Sequence, residues 1–313
     1  YQRDFPLVPH PYAEIGAQCD LSEQEVIHEY CGLREAGKID RIGTLFRPNT
    51  VGASALAALA VPPRDLERVA QRVSEQPGVN HNYEREHRYN LWFVVTGQDA
   101  SCVGAALDRI ESECGLRPLR LPLEEEFHID LGFDLSDGAV PRGAPTTAER
   151  VTLDPAERRL VAALQHGVPF VPRPYAELGR AAASTESSVI EMLRCWLDRG
   201  IVRRFGAVVR HLPLGYRANA MVVWDVPDEE VARAGRRAAA HSAVTLCYRR
   251  VRQLPDWPYN LFCMIHGKER AAVERAIDDV TRGAGLDGNP REVLFSRRCF
   301  AQRAARYAET AHG

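Results

Sequence analysis

The nine residues VPHPYAEIG at positions 8–16 return as VPRPYAELG at 171–179, a shift of 163, and this repetition decides how the chain is read. The same shift carries Gly37 onto Gly200, Arg41 onto Arg204, Gly43 onto Gly206, Arg47 onto Arg210 and Gly52 onto Gly215. Farther on, NYER at 82–85 meets CYRR at 247–250 at a shift of 165, and YNLWFVVTG at 89–97 meets YNLFCMIHG at 259–267 at a shift of 170. The offsets drift only by short insertions, so the 313 residues are one module written twice.

Each copy opens with helical patterns and goes on to alternate strands and helices. Leu21 to Ala36 and Thr185 to Arg199 have helical spacing, Ser22 and Glu25 form a capping box, and Gly37 and Gly200 end the two helices. The segments IDRIGTLFRPNTVG and IVRRFGAVVRHLPLG are each expected to fold as a two-stranded hairpin, which makes the opening of each copy a winged helix-turn-helix. The remainder of each copy has the order βαββαβ, a ferredoxin-like unit. In copy one it runs through Ala53 to Val61, Pro63 to Gln76, Val79 to Arg85, Tyr89 to Gly97, Asp99 to Cys114 and Leu116 to Leu131. The fold class is therefore α+β, a tandem repeat of winged helix-turn-helix plus ferredoxin-like modules. Its expected domains are 1–52, 53–133, 151–215 and 216–313, with a Gly- and Pro-rich linker at 134–150. Gln2 aligns with Gln165, so copy one lacks a counterpart of the helix around Leu153 to Ala163, and a short N-terminal stretch is expected to be missing.

Composition narrows the function classes. Hydrophobic residues make up 45% of the chain, enough for a sizeable core, and no run approaches the ~20 apolar residues that cross a bilayer. The eight cysteines are scattered without Cys-x-x-Cys pairs or zinc spacing, which suits reduced thiols in a cytoplasm, and no metal site is expected. Residues 1–150 hold 15 Lys and Arg against 24 Asp and Glu, and residues 151–313 hold 25 against 18. An acidic copy thus stands beside a basic one, either to help the copies associate or to supply cations to a polyanionic ligand.

This arrangement resembles the leucine- and asparagine-responsive regulators (Lrp/AsnC), which would imply DNA binding. The residues argue against it. The candidate recognition helix of copy one carries Glu23, Glu25, Glu29 and Glu35 against Arg34 alone, which a duplex would repel. The helix of copy two puts Met192, Cys195 and Trp196 where a reader of bases would need polar groups.

The long runs HNYEREHRYNLWF (81–93), EEEFHIDLGFDL (124–135), FGAVVRH (205–211), GYRANAMVVWDVP (215–227) and CYRRVRQLPDWPYNLFCMIHG (247–267) resemble the sirohaem decarboxylase family over both copies. That resemblance implies removal of CO2 from the C12 and C18 acetates of sirohaem, giving 12,18-didecarboxysirohaem for haem biosynthesis. The fused arrangement favours the d-type haem of denitrification. Two further readings stay open: a tetrapyrrole-responsive Lrp/AsnC-type transcription regulator, and a non-catalytic haem-handling subunit.

Sirohaem presents eight carboxylates around a flat iron-bearing ring, so its site needs fixed cations and apolar walls. Arg249 and Arg250, with Arg210 and Arg217, offer bidentate clamps, and Trp257 and Tyr259, held between prolines, offer aromatic walls. The macrocycle accepts the electron pair left by departing CO2, so no organic or redox cofactor is required and the iron belongs to the substrate. A proton must then reach the new carbon, and histidine suits that task near neutral pH. His87 and His128 are the expected proton donors, with His81 next, since all three lie in the family-like runs. Tyr83, Arg85, His211 and His266 complete the expected substrate contacts. Lrp-like chains pair through their ferredoxin-like sheets, so the two copies are expected to form a dimer-like pair within one chain. Further homo-oligomers, the order of the two decarboxylations and the active copy stay undetermined.

Overall fold

The computed structural model describes residues 1–129, 151–209 and 218–307. In chain order copy one folds as α1 (Pro11–Cys19), α2 (Glu23–Glu35), β1 (Ile39–Phe46), β2 (Ala53–Leu59), α3 (Leu66–Glu75), β3 (Val79–Arg85), β4 (Leu91–Gly97), α4 (Ala100–Cys114) and β5 (Leu119–Ile129). Copy two repeats the order after one extra helix, as α5 (Pro155–Leu164), α6 (Pro174–Ala181), α7 (Glu186–Asp198), β6 (Val202–Val209), β7 (Ala218–Trp224), α8 (Val231–Ala239), β8 (Val244–Arg250), β9 (Leu261–Gly267), α9 (Arg270–Ala284) and β10 (Arg291–Gln302). The chain divides into two compact units, and each takes one half of both copies.

The first unit joins the two helix-turn-helix segments. Pro11 and Pro174 sit at the first helical position of α1 and α6, where a missing N–H costs nothing. The repeated glycine of the same motif has a steric reason. A Cβ on Gly16 would lie 2.3 Å from the Leu21 carbonyl oxygen, and one on Gly179 would lie 2.9 Å from that of Ser184, where each turn folds back on its helix. The Ser22 and Glu25 capping box forms as the spacing predicts, and α5 begins with a second box made by Asp154 and Glu157. Both copies feed one core, with Tyr12, Ile15 and Ile42 from copy one packed with Leu160, Tyr175, Leu193 and Trp196 from copy two.

The wing differs from the hairpin that the sequence predicts. β1 does not fold back on a second strand of its own copy; it pairs antiparallel with β6 of the other copy, in a register that sets Gly43 opposite Gly206. These two glycines are repeat mates, so the strand pair is self-complementary about its centre. After β1 the chain turns at Pro48 and Asn49, the latter at φ +61°, and continues into β2 of the other unit. Only the six residues 47–52 separate β1 from β2, too few to turn and run back along β1. In copy two the return strand would fall on residues 210–217, which lie outside the described residues, as do the expected linker at 134–150 and the end of FHIDLGF. Trp196 also differs from its sequence reading: it is fully buried and donates its indole N–H to Glu157 at 3.2 Å, so it belongs to the core and not to a binding face.

The second unit is a closed eight-stranded barrel in the order β10-β3-β4-β2-β5-β8-β9-β7. Each copy supplies a four-stranded ferredoxin-like sheet. Closure comes from exchange at the seams: β5 of copy one pairs with β8 of copy two, and β10 of copy two pairs with β3 of copy one. Barrel closure leaves no sheet edge. Two helices cover each sheet from outside, and Gly235 of α8 makes room for Phe127, whose ring would lie 2.2 Å from an added Cβ. The charge asymmetry of the copies is used along the seams. Arg298 pairs with Glu67 at 2.8 Å and Glu84 at 3.0 Å, Arg270 with Glu86 at 3.0 Å, and Arg249 with Glu124 at 2.9 Å. Every one of these joins a copy-two arginine to a copy-one glutamate, so the acidic and basic copies meet with opposite charges along the seams.

Candidate functional site in the barrel lumen

Side chains alternate across a strand, so the barrel sorts its residues between the helices outside and the lumen within. Leu56, Trp92, Leu121, Met221, Phe262 and Leu294 gather in a cluster that contains no helical residue, and this cluster lies on the inner wall of the barrel. Its strands also bring in polar groups. Asn82 turns outward to the Ala70 carbonyl of α3 at 3.0 Å, which leaves His81, Tyr83 and Arg85 on the inner face of β3. On β8, Cys247 turns outward to the Gly235 carbonyl at 3.5 Å, which leaves Tyr248 and Arg250 on the inner face.

Arg85 and Arg250 occupy equivalent places in the two copies. Arg85 donates to the Leu294 carbonyl on β10 at 3.1 Å, and Arg250 donates to the Leu121 carbonyl on β5 at 2.9 Å, so each reaches the last strand of the opposite copy. Each guanidinium also lies over the tyrosine two residues before it, 5.7 Å from the Tyr83 ring and 5.3 Å from the Tyr248 ring. Their exposures are 7% and 8%. Burial lowers both from the ordinary arginine range to about 10, which still leaves them charged at neutral pH. No carboxylate among the described residues forms an ion pair with either. Burial likewise pushes the Tyr83 phenol up, and Cys299 across the seam adds to the effect.

The two ends of the lumen differ. At one end lie the start of β3 and β8 and the finish of β5 and β9. His81 stacks beside Tyr83 there with ring centres 6.4 Å apart, His266 shares a 2.9 Å hydrogen bond with Thr245, and Glu126 stands opposite Tyr248 in the strand register. His128 is buried on the same stretch of β5, in register with the outward-turned Cys247. Asn219 and Ser296, hydrogen-bonded to each other, add neutral polar groups.

The other end is aromatic. Trp257 is buried with its ring centre 5.0 Å from those of Trp92 and Tyr259, 5.5 Å from His87 and 6.0 Å from Tyr89. The loop that carries it is tied down by Arg252, which bonds to the Pro258 carbonyl at 2.8 Å and to Asp225 and Asp228. Burial pushes the Tyr259 phenol up, and the nearby Glu292 carboxylate adds to the effect. His87 is half-buried, and burial lowers its pKa against the opposing pull of Glu292. Its Nδ1 accepts the Tyr89 backbone N–H at 3.0 Å, so the neutral ring carries its proton on Nε2.

The structure thus brings together some of the residues singled out from the sequence and separates others. His81, His266, Tyr83, Arg85 and Arg250 share the inner wall of the barrel, with both histidines at its polar end, while His128 stands on β5 in register with the outward-turned Cys247. His87, Trp257 and Tyr259 sit a full strand length away at the aromatic end. Arg249 points outward, paired with Glu124 and with Asp228 at 3.1 Å. Arg210, His211 and Arg217 lie outside the described residues. Sequence reasoning missed Tyr248, Glu126 and Glu292. Tyr248 was within reach, because it is the repeat mate of Tyr83; nothing in the pattern marks the two glutamates.

Among the described residues no group of three or more His, Cys, Asp and Glu is placed to hold a metal ion. Nor is any described helix long and apolar enough to cross a membrane.

Two helix-turn-helix segments and a barrel of two ferredoxin-like sheets, lined by cations and imidazoles, define a tandem protein of the Lrp/AsnC type. Residues 51–128 and 213–301 match the model for an AsnC-like ligand binding domain, and residues 1–39 and 157–203 match that for a siroheme decarboxylase NirDL-like HTH domain. The chain belongs to the siroheme decarboxylase NirDL family. It is 46% identical to a siroheme decarboxylase NirDL subunit of Paracoccus pantotrophus, over 99% of this chain and 96% of that one. A siroheme decarboxylase of Hydrogenobacter thermophilus is 32% identical over 98% of this chain and 92% of its own length. A crystal structure of the siroheme decarboxylase NirDL superposes with a TM-score of 0.71 at 29% identity, covering 98% of this chain and 91% of that one. A second, in complex with an iron-uroporphyrin III analogue, superposes at 0.69 with 28% identity over the same shares.

Proposed function

We propose that the chain is a sirohaem decarboxylase, a carboxy-lyase that removes CO2 from the C12 and C18 acetates of sirohaem to give 12,18-didecarboxysirohaem. The observation that carries this reading is the likeness to siroheme decarboxylases from end to end, in both copies at once. The lumen supports it with buried cations beside aromatic rings, which suit a flat polycarboxylate.

In each step the bond between the acetate methylene and its carboxylate breaks, CO2 leaves, and the bonding pair enters the macrocycle. A proton then returns to the methylene, which becomes a methyl group. The protein orients the acetate, strips water from its carboxylate and donates that proton from an imidazole, for which His81, His87 and His128 are the candidates. The macrocycle supplies the electron sink, so no further cofactor enters. The work belongs to the cytoplasm, and d-type haem formation is the branch that the fused arrangement favours.

Purified protein incubated with sirohaem without oxygen should yield a product lighter by one and then two CO2. Unchanged mass with tight binding would instead indicate a sensor or carrier, and a salt-sensitive shift of promoter DNA would indicate a regulator.

A further inference from the structure

The two copies differ on the outer face of their sheets. Where copy one sets Asn82 of β3 opposite Phe93 of β4, copy two sets Cys247 of β8 opposite Cys263 of β9. The Asn82 amide donates to the Ala70 carbonyl and the Ser74 hydroxyl, both at 3.0 Å. The two thiols are turned on each other instead. Cys263 Sγ donates to Cys247 Sγ at 3.4 Å, and Cys247 Sγ donates to the Gly235 carbonyl of α8 at 3.5 Å. Both are buried in the core between the sheet and its helices, whereas the other six cysteines are exposed or half-buried. Opposed residues on neighbouring antiparallel strands hold their Cβ atoms about 5 Å apart, so small turns about the two Cα–Cβ bonds bring touching sulfurs to the ~2 Å of a disulfide.

We infer that Cys247 and Cys263 are a redox-sensitive pair, which closes to a disulfide between β8 and β9 under hydrogen peroxide and reopens under a dithiol. One thiolate attacks a peroxide oxygen, the O–O bond breaks, and a sulfenic acid and water form. The second sulfur then attacks the sulfenic sulfur; the S–S bond forms, the S–O bond breaks, and the oxygen leaves with the thiol proton as a second water. The peroxide takes up the two electrons that the thiols give. Burial pushes the Cys247 thiol up, and Cys263 adds to the effect, so thiolate is scarce and closure is slow. A small uncharged oxidant reaches such a pair through local opening, where a bulky one does not. The tie would close around residues 248–262, the hairpin that carries Trp257, and Tyr248 and Phe262 stand in register just beyond it. None of this depends on which ligand the lumen takes.

The test is differential labelling of the full folded chain. Iodoacetamide first blocks the exposed thiols; hydrogen peroxide follows, then unfolding in N-ethylmaleimide and peptide mass mapping. Without peroxide, Cys247 and Cys263 should each take the maleimide. After peroxide they should take none and appear as one linked peptide pair, lighter by two hydrogens, and dithiothreitol before labelling should restore both. The oxidised chain should also melt roughly 5 °C higher, as for closing a loop of about 15 residues. Cys263→Ser should abolish both the linked peptides and the melting shift. Two cysteines that still take the maleimide after peroxide, or that oxidise separately to sulfinic acids without a linked peptide, would overturn the inference. Labelling is read on the wild-type chain, so it decides even if the serine variant does not fold.

Discussion

Tyr12 donates its hydroxyl to the Pro169 carbonyl at 2.9 Å, and its repeat mate Tyr175 donates to the Pro6 carbonyl at 2.6 Å. The most faithfully repeated motif of the chain therefore carries a tyrosine that reaches into the other copy, and does so reciprocally. Both rings are buried in the shared core, and burial pushes both phenols upward. The motif is an interface device between copies.

Removing either hydroxyl leaves a proline carbonyl without that donor. Tyr12→Phe and Tyr175→Phe should each cost about 1 kcal/mol of stability, with a ceiling near ~3 kcal/mol if the carbonyl finds no water. Urea unfolding with an unchanged slope would measure it. A neutral result in both would show that the reciprocal bonds do not hold the copies together.

His87 gives a pH signature. Its folded pKa is depressed mainly by burial, so the unfolded chain binds the proton more readily. Stability from this group is present above the ordinary histidine pKa and is lost as pH falls through it. Melting temperature should therefore drop on acidification from about pH 7.5 to 5.5, and His87→Gln should flatten part of that drop. An unchanged slope in the variant would exclude His87 as a contributor.

The candidate proton donors lie at opposite ends of the barrel, which makes their variants informative. His87→Ala and His128→Ala are each expected to slow turnover about a hundredfold while binding stays near normal. Wild-type rates in either variant remove that histidine from the mechanism. A loss confined to one identifies the end of the barrel at which protons are delivered.

The notch at Gly235 is a packing prediction. Gly235→Ala forces the Phe127 ring or α8 to shift and should destabilise by roughly 1–3 kcal/mol, as overpacking does. Thermal melts of the variant measure it, and a stable variant would mean that Phe127 can turn away freely.

Much of the fold is legible in the residues because the signals are local. Repeat spacing, helical periodicity, the Ser22 capping box and the βαββαβ order all depend on neighbours a few positions apart, and each of these elements forms close to its expected bounds. The wing is not legible, for the complementary reason: whether β1 pairs with its own return strand or with β6 depends on partners more than 150 residues away, which no local pattern encodes. The same holds for Trp196, since a helix shows its periodicity without saying which face meets a core.

The amino-acid order by itself determined that the chain is a duplicated module, that each module holds a helix-turn-helix and a ferredoxin-like sheet, and that its acidic and basic halves differ. Those features follow from short-range chemistry that survives in any context. Only the tertiary structure decided that the sheets exchange edges into a closed barrel. It also separated Arg250, turned inward onto the Leu121 carbonyl, from its neighbour Arg249, turned outward onto Glu124 and Asp228. Adjacent residues on a strand face opposite ways, and which way is inward is fixed by the barrel's closure and its covering helices.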